Sequence, residues 1–129
     1  PPYLRAGAHT PSPDRSRATA NGEDAEGADL EDWIAAAARL LRPMGIFTLI
    51  HRADRLDEAI ALLHKGFGGL VVYPLWPRAG MAAKRVLLTG RIGAASPARL
   101  AAGLVLHGEG GGFTAAAEAV LRDGGGLEP

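Results

Sequence analysis

Two groups of residues in this sequence are suited to chemistry. At the head, Pro1-Pro2-Tyr3 joins two stiff residues to an aromatic ring. Consecutive prolines fix φ and disfavour helix, so the segment is extended, as a polyproline terminus without a role would also be. The second group is basic. Between Arg39 and Arg91, the cations Arg39, Arg42, Arg52, Arg55, Lys65, Arg78, Lys84, Arg85 and Arg91 face only Asp54, Asp57 and Glu58. Such a cluster can follow a nucleic-acid backbone, and scattered solvated charge is the equal alternative.

Other chemistries have weaker support. There are no cysteines, which removes disulfides, thiolate metal sites and a cysteine nucleophile. His64 and His107 have no partners at metal-ligand spacing and are expected to be structural. His51 and Arg52 end an apolar run, where a ligand contact is possible but packing or capping is the expectation. Ser12, Ser16 and Ser96 lie in Pro-rich stretches without a strand-to-helix elbow, so no Ser-His-Asp set is argued. Gly108-Glu109-Gly110-Gly111-Gly112 looks superficially like a nucleotide-binding turn, but Phe113 stands where the last glycine is needed. Trp33 is assigned to the core. Trp76, between prolines, is expected to pack over a sheet, with base stacking as the alternative.

The elements that must position these residues follow from periodicity. Residues 4–27 are rich in Pro, Ser, Gly and charge, show no apolar period, and are expected to form a long loop. A helix is predicted from Asp29 to about Arg42, with Leu30, Trp33, Ile34, Ala37, Leu40 and Leu41 on one stripe and Pro43 as its stop. Ile46 to His51 is a strand of the kind buried on both faces. Arg55 to Phe67 is a second amphipathic helix closed by Gly68-Gly69. Leu70 to Leu75 and Arg85 to Ile92 are further strands. Leu104 to His107 is a short strand, Gly108 to Gly112 a turn, and Thr114 the N-cap of a helix from Ala115 to Arg122.

The 129 residues suffice for one domain or half of a larger one, and 47% hydrophobic content can bury a core. Lys and Arg total 14 and so do Asp and Glu, so net charge selects no partner; residues 14–32 are acidic and the middle is basic. No apolar run reaches the roughly 18 residues that span a bilayer. A cytoplasmic protein without membrane contact is the expectation.

Taken in order, the motifs resemble a family. Pro1-Pro2-Tyr3 is similar to the tail of the Asn-Pro-Pro-Tyr motif of amino-group methyltransferases. Leu40-Leu41-Arg42-Pro43-Met44-Gly45-Ile46-Phe47-Thr48-Leu49-Ile50 resembles the helix-to-strand joint in the second half of Rossmann-like, S-adenosylmethionine-dependent methyltransferases. Pro77-Arg78-Ala79-Gly80-Met81-Ala82-Ala83-Lys84-Arg85-Val86-Leu87-Leu88 looks like the final hairpin of the bacterial tRNA1(Val) adenine-37 N6-methyltransferase group. Leu104-Val105-Leu106-His107, Phe113-Thr114 and Ala117 to Arg122 resemble that group's tail.

This resemblance implies an α/β fold, the C-terminal part of a class I (Rossmann-like) methyltransferase sheet with flanking helices and its last strand antiparallel. It implies an active-site loop over 1–28, a helix-strand-helix-strand-strand core over 29–92 and a C-terminal hairpin and helix over 93–129. The implied activity is methyl transfer from S-adenosylmethionine to an exocyclic amine, most consistently adenine N6 in tRNA. Such an amine is a poor nucleophile because its lone pair is delocalised into the ring, and hydrogen-bond acceptors on its N–H bonds draw the pair back. Pro1 would offer its carbonyl, Pro2 would stiffen the segment, and Tyr3 would stack on the base. Arg5 and His9 would touch substrate phosphate or ribose, and Lys84 and Arg85 the nucleic-acid backbone; charge protecting an edge strand explains the last two equally well. The Gly-rich loop and the acidic residue that grip the cofactor ribose precede the motif in this family, so neither maps onto this sequence, and the chain alone is expected to be inactive. The alternative is a non-enzymatic α/β binding or assembly module that self-associates through an exposed sheet edge.

Overall fold

The computed structural model describes residues 29–127. The first helix, α1 (Leu30–Leu40), begins with a reciprocal cap: the Asp29 carboxylate accepts from the Asp32 amide at 2.9 Å, and the Asp32 carboxylate accepts from the Asp29 amide at 3.3 Å. Glu31 and Asp32 in the first turn and Arg39 in the last suit the helix dipole. Leu30 and Ile34 are buried, with Ala38 and Leu41 packed beside them. Trp33 and Leu40 are not core residues: they are 51% and 85% exposed. At about 100° per residue both fall on the same flank of the buried stripe, roughly a fifth of a turn from Leu30, outside the narrow contact the helix makes.

After Pro43, an Arg42–Gly45 turn with Met44 at φ 63° leads into β1 (Ile46–Arg52). A 3-10 turn (Ala53–Arg55) and α2 (Leu56–Leu63) then cross to β2 (Phe67–Trp76), and β3 (Arg85–Ile92) returns antiparallel between β1 and β2. The long strands β1 and β2 are therefore parallel to each other, joined by a helical crossover, with β3 inserted between them. Two short strands, β4 (Arg99–Leu100) and β5 (Leu104–Val105), add in parallel to the outer side of β2, and α3 (Ala115–Leu121) packs on β5 through the buried Ala117. Thr114 caps α3 by accepting from the Ala117 amide at 3.1 Å while its hydroxyl donates to the Val105 carbonyl at 2.7 Å.

Helices α1 and α2 share one core with a single face of the sheet. The register aligns Leu49 of β1 with Leu88 of β3 and Val72 of β2, and this row lies in the cluster with Leu30, Ile34, Ala59 and Leu63. Burial of β1 on both faces does not hold among the described residues: Phe47, Leu49 and His51 turn inward, whereas Ile46 and Ile50 are 54% and 44% exposed.

The second helix is also shorter than its apolar period suggests. It ends at Leu63, and Phe67 opens β2 instead, its ring tilted against that of Phe47 with centroids 5.3 Å apart and its backbone paired with Ile92. Between Gly68 and Val71 the register shifts, so Gly69, at φ 58°, and Leu70 form a bulge inside that strand. A Cβ on Gly68 would lie 1.8 Å from the Ala94 carbonyl, so the crossing chain requires glycine there. Among the described residues no helix is long and apolar enough to cross a membrane.

Candidate functional site

Parallel strands in open α/β sheets gather ligands at their carboxyl ends, and here the carboxyl ends of β1, β2 and β5 share one rim with the start of β3. That rim holds His51, Arg52, Trp76, Arg78, Lys84, Arg85 and His107.

The cations there divide by partner. Arg52 stands directly opposite Arg85 in the β1–β3 ladder, a like-charge pairing that costs stability unless relieved. Asp54 supplies relief: the Arg52 Nε donates to its carboxylate at 2.8 Å, and Nη2 donates to the second oxygen. This hydrogen-bonded pair holds the Asp54 carboxyl below the ordinary aspartate range and raises the Arg52 guanidinium above its own. Arg55 is 7% exposed, and its Nε and Nη2 grip both oxygens of Glu58 at 2.9 and 3.0 Å. That fork-to-fork geometry commits Arg55 to the fold. Arg78 and Lys84 are exposed and form no ion pair among the described residues. The Lys84 carbonyl accepts from the Ala53 amide at 3.1 Å, which fixes the strand start beside the β1 exit.

Of the residues singled out from the sequence, Lys84 and Arg85 sit exposed at this rim. Pro1, Pro2, Tyr3, Arg5 and His9 lie outside the described residues. His51 is fully buried, in keeping with packing, and Trp76 is half-buried, its indole donating to the Ala102 carbonyl at 3.0 Å. Lys65 belongs elsewhere, ion-paired to Glu31 at 2.6 Å beside an apolar cleft of about 150 Å³ lined by Ile34, Leu62 and Phe67. Arg91 donates to the Met44 carbonyl at the opposite rim. The sequence reading gives Phe113 no role at a site, yet its ring stacks on His107 with centroids 4.8 Å apart and planes 21° apart. The pairing arises from an antiparallel bridge across the Gly108–Gly112 turn, which no spacing rule announces.

No three His, Asp or Glu side chains come together as a metal site among the described residues. The acids near the rim include Asp54, engaged by Arg52, Glu58, engaged by Arg55, and Glu109, exposed in the turn after His107. The rim is thus basic and partly aromatic.

No family model and no curated protein matches this chain. Among solved structures it is similar to a predicted O-methyltransferase from Agrobacterium tumefaciens, with 33% identity and a TM-score of 0.66 over 70% of this chain and 44% of that one. The chain thus spans less than half the length of that structure. The described residues have the mixed α/β sheet and flanking helices of a methyltransferase-like fold, with β3 antiparallel between β1 and β2 and the later short strands β4 and β5 parallel to β2.

Proposed function

We propose that the complete protein transfers a methyl group from S-adenosylmethionine to an exocyclic amine, adenine N6 in tRNA. The observation that carries the methyltransferase reading is the likeness to a predicted O-methyltransferase. Nitrogen as the acceptor rests instead on the Pro1-Pro2-Tyr3 resemblance, because that neighbour's description names oxygen.

This chain's part lies on the acceptor side. Tyr3 stacks on the target base, the Pro1 carbonyl accepts one of its N–H bonds, and Pro2 keeps the carbonyl from swinging away. Arg5 and His9 meet the adjoining phosphate or ribose, and Lys84 and Arg85 hold the backbone at the strand rim. Such a protein acts in the cytoplasm, where its tRNA substrate and the methyl donor are found together.

The test is transfer of tritium from labelled S-adenosylmethionine by the complete protein to tRNA that lacks the modification, with nucleoside digestion to locate the label. Label in N6-methyladenosine is expected, and Tyr3→Ala should lower kcat/KM about 5- to 150-fold, the range for one lost stacking contact. Label in an oxygen-methylated product, or none in RNA, would discard the amine reading.

One observation favours a second reading, a binding or assembly module. Strand β1 is terminal in the sheet order β1-β3-β2-β4, and Ile46 and Ile50 are exposed on it. Self-association through that edge is expected of such a module, and sizing against concentration tests it.

A further inference from the structure

We propose that Phe113 is a stacking platform for a nucleobase adjoining the methylated one, with Arg78 beside it to meet the phosphate of that nucleotide. This inference rests on the nucleic-acid reading of the substrate and adds a second contact point to it.

Phe113 is 42% exposed, yet it is not a loose surface ring. Its backbone pairs with His107, and its ring lies nearly parallel to the imidazole, which covers one face. His107 is anchored in turn: its amide donates to the Pro77 carbonyl at 3.0 Å, and the preceding Leu106 amide donates to the Trp76 carbonyl at 2.8 Å. The Thr114 amide donates to the Leu106 carbonyl at 2.9 Å, tying the far side of the turn to the same strand. A ring immobilised on one face and open on the other loses little entropy when a base stacks on it, and every base has a π-face to offer.

Position and charge complete the case. The anchors on Trp76 and Pro77 put the platform just past the carboxyl end of β2, on the rim where Lys84 and Arg85 begin β3. A Cβ on Gly111 would lie 4.0 Å from the Arg78 Nη2, so that guanidinium reaches the turn between the two stacked rings. Glu109, exposed in the same turn, would repel a phosphate placed on the ring itself. The ring therefore suits an uncharged base, and Arg78 suits the phosphate to one side.

The experiment measures binding of the full chain to a fluorescein-labelled RNA stem-loop by anisotropy, beside a probe of the same length with abasic loop nucleotides. Phe113→Ala should weaken binding to the intact loop about tenfold and leave the abasic probe unchanged. Phe113→Trp should restore it. Phe113→Leu keeps an apolar cover over His107 without a π-face, so it must behave like Phe113→Ala even if the smaller variant folds poorly. Arg78→Gln should reduce the salt dependence on both probes by about one counterion. Unchanged affinity in Phe113→Ala, or an equal loss on both probes, overturns the platform. Tritium transfer to RNA, followed in parallel with the complete protein, separates the two ideas: methylation without any Phe113 effect removes the platform alone. No RNA binding by the unaltered chain removes the platform too.

Discussion

Strand β1 meets two different environments on its two faces. Leu49 is 5% exposed and joins Leu88, Val72 and both neighbouring helices in one core, while Ile50, the next residue, is 44% exposed. Both are large aliphatic residues in one strand, so the difference lies in what packs above each face. A strand alternates its side chains with period two, and an apolar run cannot reveal whether one layer or two will cover it. The same division recurs among the charges: Arg55 is enclosed against Glu58, and Arg52, a few residues earlier, pairs with Asp54 in water.

Truncation on the two faces should produce the largest contrast. Leu88 is fully buried at the centre of the row, so Leu88→Ala should destabilise the fold by about 2–5 kcal/mol through lost burial and a residual cavity. Ile50→Lys on the open face should stay within about 0.5 kcal/mol. Chemical denaturation of both variants checks this. A large loss in Ile50→Lys, together with a change in oligomeric state on sizing, would show that another surface covers the open face.

The sequence made the strong local signals legible and missed the long-range ones. The helix opening at Asp29, Thr114 as a cap, Pro43 as a stop, and Arg85–Ile92 as a strand depend on neighbours a few residues away, and each holds, with Asp29 itself as the cap. Helical phase with Leu63 places Phe67 in a helix. Its role is set by Phe47 and Ile92, which are remote in sequence. Strand β4 is too short to carry a period, and its pairing with Val71 and Val72 is parallel and non-local. At the site, Lys84 and Arg85 were visible as a basic step before a strand. The Arg52 and Arg55 pairings were hidden, because Asp54, Asp57 and Glu58 are all within reach of either guanidinium along the chain. Phe113 was hidden because its partner faces it across a glycine-rich turn.

The enclosed ion pair should behave as part of the core. Glu58→Gln leaves the Arg55 guanidinium, 7% exposed, without its carboxylate, and the expected cost is about 2–3 kcal/mol. Double replacement with Arg55→Met and Glu58→Leu should recover much of that loss, since the site then holds apolar groups and no uncompensated charge. A double-mutant cycle in urea measures both. If the double variant is no more stable than Glu58→Gln alone, the pair's contribution is packing of the arginine stem and not compensation of its charge.

The exposed pair should show the smallest effect and the clearest pH signature. The Asp54 side chain is 60% exposed, so solvent screens its bond to Arg52, and Asp54→Asn should cost under about 1 kcal/mol. Its carboxyl is held below the ordinary value by the Arg52 hydrogen bond, so the folded chain binds the proton less readily than the unfolded one. The pair's contribution is then fully present above the unfolded aspartate value, about 3.9, and disappears as pH falls through the lower folded value. Stability measured for both proteins from about pH 6 to about pH 2 should therefore converge at the acid end, and the gap at pH 6 should narrow in about 1 M salt. A gap that persists at low pH and high salt would mean that Asp54 acts through its backbone turn. Arg85, opposite Arg52 in the ladder, would then depend on some other neighbour to offset that like charge.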